Sequence, residues 1–280
     1  MKSHYILTFA PTGMKPTKEM TPHVPINPQE IVEDVLEGIE RGVNMVHLHA
    51  RDAASGQPTY RKEICAEIIS GIRRKNHDVV ISVSTSGRRF AELDKRSDML
   101  DLSGEVKPDF ASLTLSSLNF EREASINAPD VIQALLGKML DRDIRPEMAI
   151  FDLGMVNYAH YLMRKHHIPK PFFFTVILGN IAGAQTDLMS LGTIVEKLPR
   201  DHVRIIGGIG KNQLTSNMLG LITGDGVRIG IEDNIWFDQE GTQKAGNKDF
   251  ISRITDIASL LGKTPYPPRE LREKLRLPAS

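Results

Sequence analysis

The segment Val46–Asp52, "VHLHARD", ends an apolar run with two imidazoles one residue apart, followed at once by a charged pair. In a β-strand, residues i and i+2 share a face, so His47 and His49 project together while Val46 and Leu48 project to the other side. A lone histidine is usually satisfied by ordinary hydrogen bonds. Two on one inward face are costly to bury without partners, and a single metal ion uses both. What the pair does depends on the fold that surrounds it.

Working outward, short apolar runs rich in β-branched or aromatic residues recur at 5–9, 44–49, 79–84, 109–115, 147–152, 172–178, 202–207 and 226–231, which gives eight predicted strands. Helical periodicity fills the intervals at 28–42, 61–75, 129–143, 156–167, 187–198 and 211–224, and again at 248–262. Only "RFAELDKRSDMLDLS" (89–103) is a weak helix. Such alternation means parallel strands joined by right-handed crossovers, either an open doubly wound sheet or a closed barrel. Eight repeats favour closure, and no G-x-G-x-x-G follows the first strand to mark a dinucleotide-binding sheet. The expected architecture is α/β, a single (β/α)8 TIM barrel over 1–280 with a short C-terminal extension at 264–280. For that tail, a proline turn and a short basic helix, three fates stay open: packing on the barrel, packing on another subunit, or solvation.

Composition narrows the class of function. Lys+Arg and Asp+Glu are both 35, so net charge gives no argument for nucleic acid or a membrane surface. Cys65, the one cysteine, sits among helix formers and reads as a half-buried hydrophobe; a lone thiol also fits a reducing compartment. The N-terminal apolar run is too short for a signal peptide, and no stretch nears the roughly 18 apolar residues of a membrane span. The expected location is the cytoplasm.

Barrel strands turn Val and Leu outward onto helices, so His47 and His49 point inward at the C-terminal rim, where such barrels build active sites. In "GDGVRIGIEDN" (224–234), parity puts Arg228, Gly230 and Glu232 on one face, with the glycine leaving room for a ligand. Barrel closure sets strand 8 beside strand 1, so Glu232 reaches an ion held by His47 and His49. His2Glu with an open fourth position is a catalytic zinc pattern. Parity turns Asp233 away, but beyond the strand end it is free to turn into the site, where a buried Arg228 needs a counter-charge. Arg51 and Asp52 either orient the imidazoles or form a rim salt bridge. Ser82, Ser84 and Ser86, with Ser112, Thr114 and Ser116, either line a polar pocket or fill barrel layers. "GGIGKNQ" (207–213), with Gly208 and Gly210, leads into a helix N-terminus where barrels commonly bind phosphate.

These segments, with "APTG", "TKEMTPHVPINPQEI", "ISVST", "KPDFASLTLSSLNF" and "RPEMAIFDLGM", resemble the β-keto acid cleavage enzymes typified by 3-keto-5-aminohexanoate cleavage enzyme. The resemblance runs over nearly the whole chain. It implies a zinc-dependent acyltransferase that converts a β-keto acid and acetyl-CoA into acetoacetate and a new acyl-CoA. It implies Zn2+ on His47, His49 and Glu232, Asp233 as a base tuned by Arg228, and Ser84 and Ser112 as substrate-binding hydroxyls. The expected assembly is a homo-oligomer, a tetramer first.

Two departures stand out. Relatives that accept an amino-substituted acid carry a Glu shortly after the first "TG", where this chain has Met14 and Lys15, and a second Glu in strand 5, where it has Ala149. Arg88 and Arg89 follow "STSG", where small residues are more usual. A distal substrate group that is neutral or anionic is therefore expected, as in a β-keto dicarboxylate. The competing reading gives Lys15, Arg88 and Arg89 to the CoA phosphates or to a subunit contact. Alternatives from other classes are a metal-dependent barrel hydrolase, a C–C lyase or aldolase, and a catalytically silent barrel. The hydrolase reading is weakened because His160, His166 and His167 fall on a helix rather than at strand ends.

Overall fold

The structure, a computed structural model, describes residues 3–278. Its barrel strands are β1 (His4–Phe9), β2 (Met45–Leu48), β3 (Val80–Val83), β4 (Phe110–Thr114), β5 (Arg145–Ile150), β6 (Phe172–Leu178), β7 (His202–Gly208) and β8 (Gly226–Ile229). All pair in parallel in chain order, and β8 returns to β1 from Ile6↔Gly226 to Phe9↔Ile229. The sheet therefore closes into the expected TIM barrel. Around it lie α1 (Pro28–Glu40), α2 (Lys62–Arg73), α3 (Leu93–Ser97), α4 (Pro129–Asp141), α5 (Leu153–Lys165), α6 (Leu188–Lys197), α7 (Gln213–Thr223) and α8 (Asn247–Leu260). Helix starts follow local sequence: Asn27, Asp152 and Asp187 each accept a first-turn backbone N–H. Among the described residues, no helix is long and apolar enough to cross a membrane.

The weak helix at 89–103 contracts to α3 and a 3-10 turn at Asp98–Asp101. Arg96, inside this short helix, is buried and donates to Thr85 O, Ile126 O and Asn127 Oδ1, so the segment pins loops instead of covering a strand. An additional hairpin, Leu118–Asn119 against Ala124–Ser125, stands between β4 and α4.

Inside the barrel, polarity changes with height. The lower layer is apolar, with Ile6, Met45, Val80, Phe110, Phe173 and Ile205 in one buried cluster. Two residues further along most strands the side chains become polar: Thr8, His47, Ser82, Ser112 and Thr175. The tail settles on the first of its three fates. Helix α9 (Pro268–Lys274) lays Leu271 into the lower layer, joined by Leu275 just beyond it. Arg272 and Arg73 both bind Asp109, at 2.8 Å each. The bottom of the barrel is thus plugged by an apolar helix face and clamped by a buried Arg–Asp–Arg cluster. Chemistry is left to the top.

Candidate active site

His47 and His49 stand on the inner face at the end of β2, with Val46 and Leu48 in the outer layer as parity requires. His49 Nε2 lies 3.1 Å from Glu232 Oε1, and His47 Nε2 lies 3.9 Å from the same oxygen. One donor atom from each of the three lies within 4.8 Å of the others, a spacing at which one divalent ion reaches all. Glu232 Oε2 is buried and has no hydrogen-bond partner. An orphaned carboxylate oxygen beside two imidazole nitrogens suits a divalent metal, and burial holds His49 below its ordinary pKa, in the neutral ligating form.

Two neighbours fix these ligands. Glu147 on β5 meets His47 Nδ1 at 3.1 Å and accepts from Ser82 Oγ at 2.5 Å and Thr175 Oγ1 at 2.6 Å. Burial alone would raise the Glu147 carboxyl; the surrounding His47, Arg228 and Ser82 instead bring it down to about 2. The arrangement presents His47 Nε2 to an ion, as carboxylate–histidine pairs do at metal centres. Gly13, at φ +66°, packs so closely on Glu232 that an added Cβ would lie 2.5 Å from Glu232 Cγ.

Arg228 lies beside the trio on β8. Its Nη2 is 2.7 Å from Glu232 Oε1, and its Nε is 2.7 Å from Asp233 Oδ2. Burial and the adjacent Glu232 raise the Asp233 carboxyl, with Arg228 opposing. Arg228 stays charged, because the facing Asp233 and Glu232 outweigh its burial. Asp233 has turned into the site past the end of β8. Above this floor opens a cavity of about 590 Å³, lined by the trio, Arg228, Asp233, Glu147 and the loops at the C-terminal ends of the strands.

A family model described as beta-keto acid cleavage enzyme matches residues 4–277. The chain belongs to this family. It is similar to a 3-keto-5-aminohexanoate cleavage enzyme of Fusobacterium nucleatum subsp. nucleatum, 30% identical over 99% of each chain. It is also similar to a 3-oxoadipate:acetyl-CoA acetyltransferase of Cupriavidus necator, 31% identical over 98% of this chain and 95% of that one. Among solved structures, the apo structure of ObcA superposes with a TM-score of 0.81 at 21% identity, covering 91% of this chain and 66% of the longer one. That likeness concerns the fold.

Several expected residues of this β-keto acid cleavage family member meet at the cavity: Ser84, Ser86, Ser112, Thr114, Lys15, Arg88, Gly210 and Ala149 line it. Ser112 Oγ accepts from Thr85 N, which leaves its O–H proton for a ligand. Others lie elsewhere. Ser82 is bound to Glu147, Ser116 donates to Ser117 O, and Arg89 is exposed. In the glycine loop, Gly207 and Gly208 are packing positions, while Gly210 borders the cavity. A Cβ at Gly207 would crowd Arg228 Cβ at 3.1 Å, Gly208 faces Ser216 of α7, and Gly210 N donates to Asp233 O at 2.8 Å. Gly230 makes no ligand room; at φ +132° it presses on Ala10 O. Arg51 and Asp52 take neither of their expected roles. Arg51 is buried and donates to Gly13 O, while Asp52 accepts from Ser55 in its own turn. His160 is on α5, bound to Lys197 O, and burial pushes the Cys65 thiol up to about 12, out of nucleophilic range.

Sequence reasoning missed Glu147, Thr175, Trp236 and the hairpin with Phe120, Glu121 and Glu123, all of which line the cavity. Glu147 did carry a signal. It sits at an inward position of a barrel strand, two residues before Ala149, where a carboxylate needs a partner.

Proposed function

We propose that this enzyme is a zinc-dependent acyltransferase that condenses a β-keto acid with acetyl-CoA and releases acetoacetate and a new acyl-CoA. The observation that carries the proposal is the convergence of His47, His49 and Glu232 with the Asp233–Arg228 pair on the floor of one cavity. His47, His49 and Glu232 would hold the ion, which when bound supplies Lewis-acid polarisation of the keto acid's carbonyl and carboxylate oxygens. Asp233, raised in basicity and oriented by Arg228, takes a proton from the keto acid to give a carbon or oxygen nucleophile. That nucleophile attacks the thioester carbonyl. In the carbon route the CoA thiolate leaves, returns to the original keto carbonyl and breaks the C2–C3 bond, and C2 regains a proton as acetoacetate departs. Ser84 and Ser112 donate hydrogen bonds to the bound acid.

The distal end of the substrate is neutral or anionic on this reading. Ala149 and Ile177 form an apolar wall, and Lys15, Arg88 and Arg122 are the cations along the lining loops. Ile181, Leu188 and Met189, each at least 70% exposed, support assembly as a homo-oligomer, a tetramer first. The test is incubation with Zn2+, acetyl-CoA and a panel of β-keto acids while acetoacetate is assayed. Acetoacetate should require all three components. Product release without acetyl-CoA would make the enzyme a hydrolase, and no turnover would remove the assignment.

A further inference from the structure

The loops above the cavity contain three cations, Lys15, Arg88 and Arg122. Arg122 is exposed at the hairpin turn, whereas Lys15 and Arg88 face carboxylates of this chain. Lys15 Nζ lies 3.9 Å from Glu121 Oε2, with both side chains at least half exposed, so that contact is weak. The second pair differs. Arg88 Nε lies 3.3 Å from Glu123 Oε1, with only 15% of the arginine side chain and 32% of the glutamate exposed. The guanidinium carbon stacks 3.5 Å above the centre of the Phe120 ring, and Phe120 meets Phe151 edge-on at 6.0 Å. Phe151 follows Ala149 by two residues at the end of β5, on the side of the cavity where Ala149 and Ile177 make the wall apolar. Arg88 is therefore tied through two aromatic contacts to the wall that a distal substrate group reaches.

The backbone holds this pair together. Gly87 lets the hairpin exit lie directly on the loop after β3, since a Cβ there would collide with Ile126 O. Ile126 N donates to Gly87 O, and Arg96 bonds Thr85 O and Ile126 O from below. Loop and hairpin are thus tied at one point, which sets Glu123 against Arg88. Glu123 meets the Nε side of Arg88 and offsets its charge, so a distal carboxylate that sought Arg88 would compete with a carboxylate the protein supplies at high effective concentration. A neutral chain would pack on Ala149 and Ile177 and leave the pair intact.

We propose that Glu123 is a specificity-determining residue of this site: by offsetting the charge of Arg88 it selects β-keto acids with a neutral distal chain and disfavours dicarboxylates. Discrimination here comes from an obstacle to the wrong substrate as much as from contacts with the right one. The inference rests on the β-keto acid reading above, and the test separates the two.

The measurement is kcat/KM for a β-keto dicarboxylate and for a neutral β-keto acid of equal chain length, in wild type, Glu123→Gln and Glu123→Gln/Arg88→Gln. Wild type should prefer the neutral acid. Glu123→Gln should shift the dicarboxylate-to-neutral ratio by roughly tenfold or more, through KM of the keto acid, and the double variant should lose the shift. Calorimetric binding of glutarate, without acetyl-CoA, provides a readout that needs no turnover: affinity should rise in Glu123→Gln and fall again in the double variant. Should no β-keto acid turn over while glutarate follows this pattern, the reaction assignment falls and the role of Glu123 stands. A wild type that already prefers the dicarboxylate would overturn the proposal. So would an unchanged ratio in Glu123→Gln, a gain that survives loss of Arg88, or an effect confined to KM for acetyl-CoA.

Discussion

At the scale of single residues, the site depends on who holds whom. Glu147 reaches no substrate in this account; it fixes the Nδ1 side of His47 so that Nε2 is offered to an ion. Glu147→Gln should weaken zinc affinity by about 10- to 100-fold, measured by competition with a chromogenic chelator, while the fold persists. Unchanged affinity would assign Glu147 to packing alone. Asp233→Asn should retain metal and lower kcat by about 10²- to 10⁴-fold, read by steady-state kinetics alongside metal analysis. A variant that lost metal as well would mean that Asp233 supports the ligands rather than the proton transfer. The convergence of His47, His49, Glu232 and Arg228 was legible because strand parity and barrel closure both constrain them, and Asp233, which parity turns away, was legible through the counter-charge that a buried Arg228 needs. Glu147 was harder to read because its partners His47, Ser82 and Thr175 lie on three other strands, remote in sequence. The role of Arg51 was misread, since a fully buried arginine that donates to backbone carbonyls leaves no periodic trace in sequence.

At the scale of elements, the active-site loops are joined through a single side chain at the start of α8. Asn247 Oδ1 accepts from Ile231 N, and its Nδ2 donates to Pro11 O and to Asp34 Oδ2 on α1. This clasp ties the loop carrying Gly13 to the segment carrying Glu232. Burial pushes the Asp34 carboxyl up to about 6, with the Asn247 hydrogen bond opposing. The folded state therefore keeps a proton that the unfolded chain releases near pH 4, so Asp34 contributes stability at low pH that is lost as pH rises through about 6. The amplitude is on the order of 2–3 kcal/mol. Asp34→Asn should gain stability relative to wild type between pH 5 and pH 7 in urea unfolding. An equal difference at the two pH values would contradict this. Helix boundaries were largely legible, because capping residues and periodicity agree. The segment at 89–103 and the hairpin were not, since their form is set by Arg96 and by loop–loop contacts that are remote in sequence.

At the scale of the molecule, closure of the barrel turns a pattern in sequence into a site. β8 lies beside β1 and β1 beside β2, so residues 183 positions apart, His49 and Glu232, stand 3.1 Å from each other. Closure also leaves a lower end to be sealed, and the tail seals it with Leu271 and Leu275. Leu271→Ala should cost about 2–5 kcal/mol in denaturant unfolding, against less than about 1 kcal/mol for a substitution on the exposed face of α9. The eight-fold alternation made the barrel readable, but the fate of the tail was not, because a short amphipathic helix fits the barrel, another subunit or solvent equally well by pattern alone. The most direct test of the account is elemental analysis after zinc loading and exhaustive dialysis. Wild type should retain about one zinc per chain, and His47→Ala, His49→Ala and Glu232→Gln should each retain much less. A wild-type protein that emerges without metal, or three variants that keep a full equivalent, would contradict it.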